Sequence, residues 1–426
     1  MRVRAGSLED LKKQGRLVTK AGNHPVCVFW DGEGRAFALD DRCPHMGFPL
    51  HRGTVEEGLL TCHWHHARFD LATGGTLDPF ADDVRAFPVE IDGDDVYVLS
   101  DGANGQVEHL QRRLAEGLEQ GLSLVMAKAV MGLLDAGVPV AQIVRTGVDF
   151  GTANRQAGWG SGLTVLTAMA NLIPMLAPED RALALVHGLA FVARDTRNRP
   201  PRFPLTSLGS ADIPAARLIS WYRRFIETRS ADAAERTLVT AIEGGHPPSV
   251  VSRMMFAAAT DHVFLDGGHT LDFTNKAFEL LDHLGWEAAA VVLPTLVDQT
   301  ARASRSEEGG RWRHPHDLAA LIELTTRRLP DLLAEGERRR ADGESFPDPD
   351  GVSALGWELL EDDPKGVVEA ICRAAAAGAT PEQLGRALGL AAGLRITRFH
   401  TQNDFGDWDV VHHGFTAANA LHQALR

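Results

Sequence analysis

The sequence predicts a multidomain chain. An N-terminal all-β domain covers residues 1–101, a linker covers 102–108, and a large all-α domain with internal helix-pair repeats covers 109–426. Three observations carry this reading. Strand-length apolar runs separated by Gly/Asp turns fill the first hundred residues. The stretch from Asp101 to Gln106 is turn-rich with little apolar content. Beyond it Leu, Ala, Arg and Glu dominate, punctuated by Pro and Gly, which is the grammar of helices. With 426 residues, 44% of them hydrophobic and 23% charged, the chain can bury two or more cores.

In the β part, Pro25 to Trp30 stops at Asp31-Gly32, and Arg35 to Leu39 follows, which predicts a hairpin. Phe87 to Ile91 and Val96 to Leu99 flank Asp92 to Asp95 and predict a second one. In the α part, the helical candidates are Leu110 to Leu134, Ile213 to Ile242, Asp317 to Arg340 and Pro364 to Ala377. Glu335 to Glu344 reads as a solvated helix end and loop. Asp135 to Pro139, Glu243 to Pro247 and Ala377 to Pro381 resemble one another, each followed by an arginine (Arg145, Arg253, Arg386). Two further stretches match in part: His269 to Phe273, and His400 to Phe405, which is one residue longer.

Composition narrows the function. Lys+Arg is 43 against 57 Asp+Glu, a net charge of −14, which argues against a nucleic-acid binder. Mean hydropathy is −0.13, which fits neither a membrane bundle nor a disordered polymer. Gln156 to Pro178 is uncharged and long enough to span a bilayer, but its Gly, Ser, Thr, Asn and Pro174 favour a buried helix. Four Cys exclude a disulfide scaffold. Met1 to Leu11 lacks an apolar signal core, so the expectation is a cytoplasmic protein with no membrane partner.

The chemistry is concentrated in one motif. Cys43-Pro44-His45 and Cys62-His63-Trp64-His65 form C-x-H-x16-C-x-x-H, with both halves in loops after β runs. Two thiolates and two imidazoles so spaced can hold a binuclear iron–sulfur cluster, the thiolates on one iron and neutral His nitrogens on the other. A four-ligand zinc site is the competing reading, although ribbon-type zinc sites usually pair C-x-x-C with H-x-x-H or another C-x-x-C. His63 and His66 flank His65 and read as exposed loop histidines.

The flanks, Phe37 to Leu50 and Cys62 to Gly74, resemble the two cluster loops of the Rieske [2Fe-2S] ferredoxin family. The resemblance covers roughly the first hundred residues. It implies that Cys43 and Cys62 ligate one iron and His45 and His65 the other, each His with a ring edge near solvent. Respiratory Rieske proteins carry two further Cys bridging the loops. Here those neighbourhoods hold Phe48 and Trp64, and the only other Cys are Cys27 and Cys372. The soluble ferredoxin or oxygenase type is therefore implied, with a potential towards the low end of the Rieske range.

The helical half does not fit the mononuclear-iron domain of Rieske oxygenases. Asp409 to His412 supplies D-x-x-H, but Ala417 stands where that family's second His would be. The late histidines nevertheless gather near the repeats. Facing helices that each present His and carboxylate are how bundles hold iron. The candidate ligands for an additional non-haem iron are His262, His269, His400, His413, Asp272 and Asp404. On a helix from His269, Asp272, Lys276, Glu279 and His283 share a face, with Lys276 and Glu279 expected to be solvated. Gly151 to Gly162 reads as a tight inter-helix loop rather than an anion cradle.

The chain is thus read as an oxidoreductase. A Rieske cluster accepts electrons from an external reductase or ferredoxin and passes them to a helical-domain metal that oxidises a small substrate with O2. The alternative is a non-catalytic carrier whose helical domain docks a reductase or oxygenase. A homo-oligomer is compatible with either.

Overall fold

The computed structural model describes residues 2–22, 24–99, 106–209 and 212–426. The linker expected at 102–108 falls partly outside them, at 102–105. The described chain forms two compact units, one of residues 1–147 and 172–197, the other of 148–171 and 198–426. The last described strand ends at Leu99 and the first following helix begins at Gln106, and the first unit extends past that point to include helices.

The first unit opens with β1 (Arg2–Ser7), α1 (Leu8–Gln14), β2 (Arg16–Ala21), β3 (His24–Trp30) and β4 (Ala36–Asp40). Then come β5 (Thr54–Glu56), β6 (Leu59–Thr61), β7 (Arg68–Asp70), β8 (Ala86–Phe87), β9 (Val89–Asp92) and β10 (Asp95–Leu99). They make three sheets ordered β1-β10-β9, β2-β3-β4-β8 and β5-β6-β7. Both expected hairpins form, with Phe29 opposite Phe37 and Val96 opposite Ile91. Alternation along β3 and β4 sends Cys27, Phe29 and Leu39 into one core with Leu50, Leu60, Phe69 and Leu71. Val26, Val28 and Ala38 enter a second core with Leu11, Val96 and Val98. Cys43 and Cys62 lie in the first core, so its packing fixes both motif loops.

Helices α2 (Gln106–Gln120), α3 (Ser123–Asp135), α4 (Val140–Ala153), α5 (Ser161–Leu172) and α6 (Pro178–Thr196) follow. The single helix expected over Leu110 to Leu134 is interrupted at Gly121, whose φ of 68° belongs to the left-handed region. Helices α2, α3 and α6 pack together within the first unit.

The second unit continues with α7 (Ala215–Glu227), α8 (Ala231–Glu243), α9 (Pro248–Thr260), α10 (His269–Leu284), α11 (Ala289–Val292) and α12 (Val297–Arg302). It ends with α13 (Leu318–Ala341), α14 (Asp350–Glu358), α15 (Pro364–Ala376), α16 (Pro381–Arg398) and α17 (Phe405–Ala424). No described helix is long and apolar enough to cross a membrane. The Gly-rich stretch is an inter-helix loop. Gly158 lies against the Thr295 carbonyl, and buried Trp159 donates Nε1–H to Thr164 Oγ1 at 2.8 Å.

The three repeat elements share one hydrogen-bond pattern. Gly137, Gly245 and Gly378 each end a helix with φ of 75°, 74° and 94°. The N–H after each glycine reaches back to close the helix: Val138 to Leu133 O (2.9 Å), His246 to Ala241 O (3.2 Å) and Ala379 to Ala374 O (2.9 Å). The next helix then begins at or beside a proline. The arginine lies equally far from the glycine in all three, Gly137 to Arg145, Gly245 to Arg253 and Gly378 to Arg386. The His-Thr pair does not repeat structurally. His269 begins α10, whereas His400 precedes α17 in a loop.

Candidate metal centre

The motif residues come from two turns of the β unit. Cys43 and His45 follow β4, in a turn closed by Cys43 N–H to Phe48 O (2.8 Å) and Gly47 N–H to Cys43 O (2.7 Å). Gly47 has φ of 81°, which a glycine adopts without strain. Cys62 and His65 lie between β6 and β7, in a turn closed by Cys62 N–H to Ala67 O at 2.9 Å. Buried Asp41 braces the first turn. It accepts His51 N–H at 2.6 Å on one oxygen and lies 2.6 Å from His51 Nδ1 on the other.

The donors form two pairs. The Cys43 and Cys62 thiols lie within electrostatic reach of each other, and the backbone amides of His45 and Met46 act on the Cys43 sulfur. Burial pushes the Cys43 thiol up to about 11, and those two amides oppose the rise by favouring the thiolate. The His45 and His65 rings stand edge to face with centroids 4.6 Å apart. His45 Nδ1 is buried and makes no hydrogen bond, so a donor atom is left for a metal. Burial, His65 and Lys128 hold His45 towards its neutral, ligating form. Two thiolates on one side and two imidazoles on the other fit a binuclear cluster, each iron taking two protein donors.

His65 is exposed as expected, whereas His45 is half-buried, with the Phe80 ring edge-on to it at a centroid distance of 5.2 Å. Around the pair, Met46, Trp64 and Phe80 are 60%, 57% and 41% exposed, giving an apolar rim. His63 and His66 are exposed loop residues, and His63 Nε2 lies 2.6 Å from Thr54 Oγ1.

Sequence reasoning missed the third loop and its helical brace. Arg113 of α2 places Nε 2.6 Å from Asp82 Oδ1 and donates to Ala81 O at 2.9 Å, which pins the segment carrying Phe80. Lys128 of α3 lies within electrostatic reach of His45, Cys43 and Asp82. No spacing signal links residues so far apart in sequence.

Two imidazole and two thiolate donors, held in paired loops of a small β unit, define an iron–sulfur electron-transfer domain. The Rieske [2Fe-2S] domain family matches residues 1–88. The anthranilate 1,2-dioxygenase ferredoxin subunit of Burkholderia cepacia is 31% identical over 87 residues, 20% of this chain and 80% of that protein. The biphenyl 2,3-dioxygenase ferredoxin component of Rhodococcus jostii is 34% identical over 94 residues, 22% and 87% respectively. Human apoptosis-inducing factor 3 is 41% identical over 107 residues, 25% of this chain, and the match spans only 17% of that longer protein. Through its amino-terminal domain, the chain belongs to the Rieske [2Fe-2S] family, and that domain implies a [2Fe-2S] cluster.

The six candidate iron ligands expected in the helical part lie in different surroundings. His262 is clasped between carboxylates, Nδ1 to Glu307 and Nε2 to Glu227 at 2.5 Å each, so both its nitrogens are engaged. His400 is an exposed loop residue whose Nδ1 accepts the Gln402 N–H, and Asp404 is an exposed residue at the start of α17. Only three of the six approach one another. The His269 and His413 rings have centroids 4.4 Å apart, and Asp272 lies within electrostatic reach of His413. Burial pushes the Asp272 carboxyl up to about 6.

Lys276 and Glu279 are half-buried rather than on a solvated face. Glu279 accepts from Lys276 (2.8 Å), Asn171 (2.6 Å) and Asn275 (2.6 Å), and His283 lies 2.7 Å from the Asn171 oxygen. A half-buried carboxylate gathers compensating donors, and α5 supplies one of them.

Proposed function

We propose that the chain is an oxidoreductase component of the cytoplasm. It takes single electrons from an external reductase or ferredoxin on its Rieske cluster and delivers them to an oxygenase-type acceptor acting on a small molecule. The carrying observation is the exposed His65 ring beside His45, surrounded by Met46, Trp64 and Phe80. An electron leaving through an imidazole edge needs a partner seated closely on that face, and an apolar rim permits such a short-lived contact. The relatives that belong to dioxygenase systems support the same acceptor class. The test is anaerobic purification with iron, zinc and acid-labile sulfide analysis, followed by reduction with a ferredoxin reductase. Two irons with two sulfides and a reducible cluster are expected. Colourless protein holding zinc ends the proposal.

A second reading places the acceptor in the helical unit, as a non-haem metal that oxidises a small substrate with O2. Its support is the meeting of His269 with His413 beside buried Asp272, together with a buried His269 Nδ1 that has no hydrogen-bond partner. Iron beyond the cluster's two after reconstitution, lost in His269→Ala, favours it. Iron confined to the cluster returns the helical unit to the docking role of a carrier. A homo-oligomer fits either scheme, and sedimentation of the holoprotein tests it.

A further inference from the structure

Within the second unit, α9, α10 and the end of α17 line a cavity of about 650 Å³, a size that small-molecule sites occupy. One wall is aromatic. On α10, Asn275, Phe278, Glu279 and Asp282 follow i, i+3, i+4, i+7 spacing and share one face, which lines the cavity. Gly285 ends α10 with φ of 87°, and the turn brings the Trp286 ring centroid to 6.5 Å from that of Phe278. Phe256 of α9 meets Phe278 at 5.3 Å. All three rings line the cavity and are half-buried, so ring surface remains open to an occupant.

The charged groups of the cavity differ in their commitments. Glu279 is answered by Lys276 at 2.8 Å and by the amides of Asn171 and Asn275 at 2.6 Å each. Asp282 is exposed, and among the described residues its carboxylate has no hydrogen-bond or salt-bridge partner. Arg426 follows α17, is exposed, and donates Nη1 to Gln423 Oε1 at 3.2 Å.

We propose that this cavity binds a small organic ammonium, a protonated aryl-alkyl amine whose ring lies against Phe256, Phe278 and Trp286 and whose charge meets Asp282. An ammonium is drawn both by the carboxylate and by the negative faces of the rings. An organic anion is repelled by both, with Arg426 alone to attract it. An uncharged aromatic leaves Asp282 unanswered. The inference does not rest on the iron–sulfur cluster or on a metal in the helical unit, since no residue lining the cavity is a candidate ligand of either.

The experiment is an NMR titration of the holoprotein with phenethylammonium and, separately, with 3-phenylpropionate, which has the same aromatic body and the opposite charge. Saturable binding of the ammonium is expected, clearly tighter than any binding of the carboxylate. Asp282→Asn should weaken ammonium binding by roughly three- to fivefold, and Phe278→Leu by roughly two- to fivefold. Arg426→Ala removes a repelling cation and should tighten binding or leave it unchanged. No ammonium binding, or equal binding of the two probes, overturns the inference. So does ammonium binding that is unchanged in either Asp282→Asn or Phe278→Leu, because the probe then sits elsewhere. Weaker ammonium binding in Arg426→Ala overturns it as well. If Phe278→Leu fails to fold, Trp286→Leu is titrated with the same expectation, and Asp282→Asn, at an exposed position, keeps the charge test intact.

Discussion

Arg113 Nε lies 2.6 Å from Asp82 Oδ1, and both side chains are nearly withdrawn from solvent, at 8% and 11% exposure. The pair joins a helix beyond the matched Rieske segment to the loop whose Phe80 meets His45 edge to face. The helix is thus part of the structure that positions a cluster ligand.

Arg113→Ala should therefore destabilise the first unit by about 3–5 kcal/mol, because it leaves Asp82 buried without its partner. Asp82→Asn in the same background should recover part of the loss. Denaturant unfolding followed by cluster absorbance checks both, and a neutral Arg113→Ala would refute the brace.

Cys62→Ser removes one of the paired thiolates and should abolish the visible absorption and bound sulfide while the β unit keeps its far-UV signature. His63→Ala, at an exposed neighbour, should leave both unchanged. Metal and sulfide analysis reads the difference.

Asp272 predicts a pH effect. Its carboxyl titrates near 6 in the folded chain against an ordinary 3.8. Between these values the folded state keeps a proton that the unfolded state has lost. Its contribution to stability therefore falls as pH rises through the window and stays low above it. Asp272→Asn should flatten that slope and stabilise the chain above pH 6 by up to about 3 kcal/mol. Chemical denaturation of both proteins from pH 4 to 8 gives the answer, and parallel curves would contradict the assignment.

At Gly158, φ is 81° and an added Cβ would sit 1.9 Å from the Thr295 carbonyl oxygen. The same carbonyl accepts Trp159 N–H at 2.8 Å. Gly158→Ala should cost more than about 2 kcal/mol, through left-handed strain and loss of that contact. Thermal unfolding and Trp159 fluorescence should both report it.

The cluster site was legible because its chemistry is local. Cys43, His45, Cys62 and His65 sit in two short loops with turn residues around them, and the hairpins feeding those loops follow from alternation and Gly/Asp turns. The helical site was not. His262 looked like a ligand because sequence does not show Glu227 and Glu307 closing on it from elements far along the chain. His400 matched His269 in letters, but His269 starts a helix and His400 lies early in the loop between α16 and α17. Lys276 and Glu279 had the composition of a solvated face, yet Asn171 arrives from α5 to satisfy Glu279. The turns at Gly137, Gly245 and Gly378 were visible as similar letters, and only the backbone reveals their common hydrogen-bond closure.

Those three turns also suggest how the helical unit could change in size. Each closes its helix using its own carbonyls and hands the chain to a successor that begins at or beside a proline, and the distant bonds at two of them are few: Arg340 donates to Gly378 O at 2.9 Å, and His246 Nε2 lies 3.1 Å from Ile213 O. A descendant of this gene could gain or lose one such helical pair at a junction, altering the partners it can reach while the iron-binding loops stay untouched.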